Sequence, residues 1–569
     1  MWDLDINNTA YQEFPERFIA HYTSLAETTD KFLSERVSKL TLILIPVFLF
    51  LVFKYVIPKI KEIVVGNSII TIVLNILKMI PGLHILVRIL LKSKYKELYE
   101  AMAGFLLEKR ENVFEVLPDR PIAIEKLKKR IDEIQESQYE KYANGLHSGS
   151  IYGSEDKKFN QRIEHAMEKF SNANTFDLDI HKGVAHMNAD VANSAKKLFN
   201  GDDDTHCIIT TGGTESILCS LAAYKLMGKK ERGINKPNIV FYDTAHAAFP
   251  KGCFFFGIEP RMVKTKDKSY TSPEPFRPYI DSNTVAIIAS GCNYAHGGID
   301  DVTAFGKMAL EYGIGLHVDN CLGGFCNCFG DEIVDDMFPF DFRTPGVTTI
   351  SADTHKYGYG PKGNSCCLIR PKKLFDALKY TSIDHSGVPF TMDHFGDFRS
   401  GAILAGTWAA MFSLGYSGYV EKVRKIHEET LKVRKFVDQH PDLKLYGPNN
   451  SLNMVCFDGI NVNPIKVSLK LKELYDWKLS ECQYPCVVHL LVSDSNVEKM
   501  DKFIKDLSEV TDLIRQEPDG YKASDYQKLY GASQQITDAS IMGDLLYVVL
   551  DSCYSTTKDD LMVSFNTLH

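Results

Sequence analysis

From about residue 120 onward, short runs rich in β-branched residues alternate with longer stretches of helical character. That alternation restricts the body to an α/β architecture, a mostly parallel sheet covered by helices. Strands are expected at 207–210, 239–242, 285–289, 316–318, 349–351 and 366–369, with helices such as 217–227 and 302–312 between them. After Trp408 a long helical stretch runs through 422–436, and short strands resume near 454–457 and 487–491. The pattern divides the body into a large domain over 120–425 and a smaller C-terminal α/β domain over 426–569. Open sheets of this kind bind ligands just beyond their strand ends. The residues with the most chemistry fall there.

Thr354-His355-Lys356 follows the β-rich run 348–353. A lysine leaving a buried strand is expected to lose its proton cheaply, and a neutral amine beside an imidazole is what an aldehyde cofactor condenses with. Upstream, Gly212-Gly213-Thr214-Glu215-Ser216 supplies a tight turn, free amides, a hydroxyl and a positive helix end, the features that hold a phosphate. His246, after the strand at 239–242, offers a flat ring to stack on a cofactor. Asp319, ending the strand at 316–318, offers a carboxylate that keeps a pyridine nitrogen protonated, so that the ring can act as an electron sink. His355 is placed as a phosphate ligand. Each feature alone has an ordinary structural explanation, such as a strand-end aspartate capping a turn. Their order along the chain predicts pyridoxal 5'-phosphate (PLP) as the cofactor, bound by Gly213, Thr214, His246, Asp319, His355 and Lys356, with Lys356 as the catalytic residue.

These residues carry a family resemblance. Thr-Gly-Gly-Thr-Glu-Ser, Thr-Ala-His, His-Val-Asp and Asp-Thr-His-Lys-Tyr-Gly resemble the group II PLP decarboxylase superfamily, whose fold is that of the PLP-dependent transferases of the aspartate aminotransferase type (type I). Within it, the run from His355 to Gly363, Asp341-Phe342-Arg343 and Pro345-Gly346-Val347-Thr348 look like the sphingosine-1-phosphate lyases. The likeness runs from roughly residue 120 to 550 and takes in Pro518-Asp519-Gly520 and Leu529-Tyr530-Gly531. It implies retro-aldol cleavage of a phosphorylated sphingoid long-chain base to a fatty aldehyde and phosphoethanolamine. Lys362 would meet the substrate phosphate, Tyr152 and Asn174 would line the same pocket, and a homodimer would build the site from two chains. Two positions depart from the family. Asp177 stands where a histidine is usual near the substrate phosphate, and Asp397-Phe398-Arg399-Ser400-Gly401 replaces a Gly-Ser-Arg-Pro-Gly sequence whose serine reaches the partner's cofactor phosphate.

The amino-terminal region has another composition. From Leu40 to Phe53 every residue is apolar except Thr41 and Pro46, and the run resumes at Tyr55-Val56-Ile57 after Lys54. This predicts a transmembrane helix at 40–57, since a bilayer core asks for about 20 residues. Residues 1–39 hold four basic and seven acidic side chains, whereas residues 54–96 hold eight basic and one acidic. The bias predicts a single-pass protein of the endoplasmic reticulum membrane, with 1–39 luminal and the catalytic body cytosolic. Residues 58–119 would be a membrane-proximal helical linker, whose apolar part at 63–91 is broken by Gly66, Asn67, Asn75, Lys78, Pro81 and Arg88.

A net charge of -8 offers no electrostatic reason for nucleic-acid binding, and the thirteen cysteines contain no paired CxxC spacing that would predict a metal site. Two further readings fit the same scaffold. One is an amino-acid decarboxylase, and the other is a catalytically weakened membrane-bound homologue, which Asp177 and Phe398 would suit. Lys362 and the apolar amino terminus favour the lyase.

Overall fold

The computed structural model describes residues 117–516 apart from 140–143, 178, 266–271, 336, 338, 397 and 483–484, together with 547, 550, 551, 553 and 554. The expected span at 40–57, the segment 1–39 and nearly all of the 58–119 linker lie outside the described residues. Among the described residues no helix is long and apolar enough to cross a membrane. Residues Arg120–Tyr521 form one compact unit, and a second unit, Met1–Asp119 with Lys522–His569, lies almost wholly outside the described residues.

The centre of the compact unit is a seven-stranded sheet of β1 (His206–Thr210), β2 (Asn238–Tyr242), β3 (Glu259–Val263), β4 (Thr284–Ser290), β5 (Gly315–Asp319), β6 (Val347–Ala352) and β7 (Ser365–Ile369), in the order β1-β7-β6-β5-β4-β2-β3. The pairs β2/β3, β2/β4, β4/β5 and β5/β6 are parallel, whereas β7 runs antiparallel to both β1 and β6. The reversal follows from the connection. Residues 353–364 between β6 and β7 contain no crossover helix, and a parallel return needs one. Every residue of β2, β4 and β7 is buried, as expected of strands covered on both faces. Alternate side chains feed two cores: Val240, Ile287 and Leu316 face one, and Ile239, Phe241, Ala286 and Ile288 face the other. The edge strand β3 was not expected from sequence, because Pro260 and Arg261 disguise it. An edge tolerates the missing proline N–H.

Around the sheet lie α1 (Ile124–Tyr139), α2 (Lys157–Lys169), α3 (Lys182–Leu198), α4 (Gly213–Arg232), α5 (Ala248–Phe256), α6 (Val302–Tyr312) and α7 (Lys372–Leu378). A long element, α8 (Gly401–Gln439), contains a break at Gly415, whose φ of 61° and ψ of 178° are not helical. Only glycine adopts that backbone cheaply. Beyond α8, strands β10 (Leu443–Leu445), β11 (Met454–Gly459), β12 (Ser480–Glu481) and β13 (Val488–Leu491) make a second, antiparallel sheet in the order β10-β11-β13-β12, with α9 (Pro464–Tyr475) packed on it and α10 (Met500–Gln516) packed on α9 and α8. A two-stranded ribbon, β8 (Tyr380–Ser382) with β9 (Phe390–Met392), precedes α8.

The loop after β6 is tied to both parts. The Tyr357 hydroxyl donates to the Val492 carbonyl at the end of β13 (2.8 Å), and the Tyr419 hydroxyl of α8 donates to the Gly358 carbonyl (2.8 Å). Both tyrosines are buried. Replacing Tyr357 by Phe strands a buried carbonyl, so Tyr357→Phe is expected to lower unfolding stability by about 1–3 kcal/mol, read as a lower urea midpoint at unchanged m-value.

Candidate active site

A cavity of about 340 Å³ opens at the carboxyl ends of the parallel strands, lined by Thr211, Gly212, Gly213, Thr214, Glu215, Ile217, His246, Cys321, Asp353, His355 and Lys356. Five residues expected from sequence meet there: Gly213, Thr214, His246, His355 and Lys356. Gly212 is the N-cap of α4, so the positive end of that helix faces the cavity. The start of α4 is held to the sheet by buried hydroxyls, with Thr210 Oγ1 2.7 Å from Ser216 Oγ and Ser216 Oγ 3.0 Å from Ser365 Oγ. Gly213 is required by space. A Cβ built there would lie 2.6 Å from Asp353 Oδ1 and 2.7 Å from Cys321 Sγ.

Lys356 corrects one expectation. Burial, the largest single influence, pushes its ammonium toward the neutral form, but the Asp353 carboxylate, 2.9 Å from Nζ, acts with Cys321 and Tyr152 to raise the lysine above its ordinary value. The strand end alone therefore does not deprotonate this amine; the proton rests on Lys356 beside an acceptor. His355 Nδ1 lies 2.6 Å from the Asn364 carbonyl oxygen and so donates its proton there, while Nε2 faces Asp353 Oδ2 at 3.6 Å. Sequence reasoning assigned Asp353 no role. Its signal was available, three residues before Lys356 at the end of β6.

Asp319 is buried at the end of β5, where its Oδ1 accepts the Cys321 N–H (3.0 Å) and the Ser351 hydroxyl (3.1 Å). Burial alone would raise its carboxyl; neighbouring imidazoles and the Cys321 amide more than offset this and lower it. His246 accepts the Ala248 N–H at Nδ1 (3.1 Å), which orients the ring. Glu215 is a second residue without an expected role. Its Oε2 accepts the Thr211 N–H and hydroxyl, both at 2.7 Å, and its Oε1 accepts the N–H groups of Phe395 (3.1 Å) and Gly396 (2.6 Å). One carboxylate thus pins the 395–396 segment beside the cavity.

Three expected substrate residues lie outside the cavity lining. Lys362 Nζ sits 4.9 Å from the centre of the Tyr152 ring, a cation–π pair. Burial, then repulsion from Lys356, lowers the Lys362 ammonium. Tyr152 is buried, its hydroxyl pushed up to about 12 by burial, and its ring meets Tyr357 edge-on at 5.3 Å. Asn174 spends its side-chain oxygen on the N–H groups of Phe176 (2.9 Å) and Asp177 (3.3 Å), and its backbone bridges Ser400. The two departures from the family meet at this bridge: Phe398 packs on Phe176 with ring centres 4.1 Å apart, and Asp177 Oδ1 accepts the Ile180 N–H at 3.2 Å.

The cavity suits a flat anionic aldehyde. It combines a helix start for the anion, a cramped glycine that lets a ligand approach the backbone, an amine, and a buried carboxylate oxygen, Asp353 Oδ1, with no hydrogen-bond partner. The fold and site define a pyridoxal-dependent enzyme of the decarboxylase class, and residues 165–460 match the pyridoxal-dependent decarboxylase conserved domain. Within that class, the chain belongs to the sphingosine-1-phosphate lyase family. It is 34% identical over 447 residues to the sphingosine-1-phosphate lyase of Drosophila melanogaster, covering 78% of this chain and 81% of that protein. Against the Saccharomyces cerevisiae lyase it is 32% identical over 442 residues, 76% and 73% of the two chains. The solved sphingosine-1-phosphate lyase of Burkholderia pseudomallei superposes with a TM-score of 0.68 at 28% identity, covering 75% of this chain and 98% of that one. A Lactobacillus brevis glutamate decarboxylase at 17% identity and TM-score 0.61, covering 72% and 97%, shares the fold.

Gly213→Ala tests the fit. The added methyl is expected to weaken PLP retention at least about tenfold, equivalent to ~1.4 kcal/mol, measured by titrating the apoprotein with the cofactor.

Proposed function

We propose that the chain cleaves a phosphorylated sphingoid long-chain base between C2 and C3, releasing a fatty aldehyde and phosphoethanolamine, in sphingolipid degradation. The observation that carries this reading is the Lys356–Asp353 pair in a cavity that the start of α4 also lines. PLP, when bound, supplies an electron sink for the carbanion left at C2. The residues of this chain supply the rest. The α4 amides with Thr214 and His355 would hold the cofactor phosphate, His246 would face its ring, and Asp319 would keep its pyridine nitrogen protonated. Lys356 must give up a proton before its amine can react, and Asp353 Oδ2 at 2.9 Å is the acceptor in place.

At the substrate end, Lys362 answers the phosphate charge, held at its station by the Tyr152 ring. Asn174 supports that end by shaping the 174–177 turn. Membrane attachment through 40–57, with the amino terminus luminal in the endoplasmic reticulum, suits a lipid substrate and rests on the apolar run and the charge bias beside it. A homodimer rests on the family resemblance, in which two chains build the site, and the exposed rings of Phe254 and Phe255 suit a covered surface.

Purified holoenzyme is expected to release aldehyde from a phosphorylated sphingoid base and not from the unphosphorylated base, with Lys356→Ala inactive and lacking the visible absorbance of bound cofactor. Carbon dioxide evolved from an amino acid instead would select a decarboxylase. Lys362→Ala is expected to raise KM about tenfold or more with a smaller effect on kcat. Because burial and then Lys356 lower the Lys362 ammonium, its charge is lost as pH rises sooner than for a solvent lysine. The KM for the phosphorylated base should therefore climb at alkaline pH below the ordinary lysine range, and Lys362→Arg should flatten that climb.

A further inference from the structure

Behind Asp319 lies a continuous chain of buried hydrogen bonds that no step above uses. Ser351 Oγ donates to Asp319 Oδ1 at 3.1 Å. His317 Nε2 lies 3.1 Å from the same Ser351 oxygen, and His317 Nδ1 lies 2.7 Å from Thr349 Oγ1. Thr349 Oγ1 lies 2.6 Å from the Tyr224 hydroxyl, which is also 2.7 Å from Thr348 Oγ1. His317, Thr349 and Ser351 are wholly buried, and Tyr224 nearly so. Space for Tyr224 is made by Gly315, where a Cβ would fall 2.2 Å from the tyrosine ring.

The direction of every proton in this chain follows from its end. A carboxylate only accepts, so the Ser351 hydroxyl proton points at Asp319. The Ser351 oxygen is then free to accept, which requires the imidazole proton on His317 Nε2. Nδ1 is left as an acceptor and takes the Thr349 hydroxyl proton, and the Thr349 oxygen in turn accepts from Tyr224. All donors point toward Asp319. Chains aligned in this way strengthen each member by polarisation. Burial keeps His317 neutral, with its pKa lowered to about 4, so the ring can serve as donor and acceptor at once.

We propose that His317 is a positioning residue for cofactor binding, acting through Ser351 to fix and polarise the Asp319 carboxylate, with Thr349 and Tyr224 setting its tautomer. The inference rests on the reading that Asp319 meets the pyridine nitrogen of PLP. His317 touches neither cofactor nor substrate, so its whole effect must pass through Asp319.

The test is a double-mutant cycle on cofactor affinity, with apoprotein prepared from holoenzyme and titrated with PLP while the visible spectrum is recorded. His317→Phe, close in volume but unable to hydrogen-bond, is expected to weaken PLP binding about tenfold, to displace the visible band, and to lower kcat while KM changes less than about twofold. In the Asp319→Asn background the same substitution should add less than about twofold. Multiplicative effects, or wild-type affinity and spectrum in His317→Phe, overturn the proposal. Should Asp319→Asn itself leave PLP affinity and spectrum intact, the role given to Asp319 fails first, and the two failures are thereby told apart. If His317→Phe does not fold, Thr349→Val serves in its place. It removes the hydroxyl that feeds Nδ1 at equal size, with a weakening of about threefold expected and wild-type affinity counting against the proposal.

Discussion

The Asp353–Lys356 ion pair is the contact around which the site is arranged. Asp353 is almost wholly removed from solvent, Lys356 is one-fifth exposed, and the two face each other at 2.9 Å across one turn after β6. A buried carboxylate needs a counter-charge, and a reactive lysine needs somewhere to leave its proton. One pair meets both needs. The same carboxylate touches the space beside Gly213, so the helix that receives the anion and the loop that carries the amine are set against each other by a single residue.

Most of the architecture was legible from the sequence because the strands of the buried sheet are written as short runs rich in β-branched and apolar residues, separated by longer helical stretches. The six expected strands of the large sheet all occur, each within two residues of the expected bounds, and the helix expected at 302–312 is Val302–Tyr312. The edge strand β3 was hidden by Pro260 and Arg261, which a half-exposed edge tolerates and a central strand would not. The reversal of β7 is encoded less visibly, in the short 353–364 connection without a crossover helix.

The site was legible in part, for a related reason. Residues that sit at strand ends, such as Lys356, Asp319 and His246, can be located by counting along the chain. Residues whose role depends on a long-range partner cannot. Glu215 gains its meaning from Phe395 and Gly396, some 180 positions away, and Asp353 from the ammonium it neutralises. The expectation that burial alone would free the Lys356 amine failed because desolvation is only one influence on a lysine, and the Asp353 carboxylate together with Cys321 and Tyr152 exceeds it. Asn174 likewise reads differently in three dimensions. Its side chain caps a local turn, and Phe176 of that turn packs against Phe398 with the rings tilted at 45°, so the two departures from the family belong to one structural unit.

The hydrogen bond from Tyr357 to Val492 joins the residue next to Lys356 to the end of the second sheet. The loop that carries the Lys356 amine is therefore anchored from the small sheet as well as from β6, so the placement of the β10–β13 layer helps set where that amine stands even though none of its residues lines the cavity.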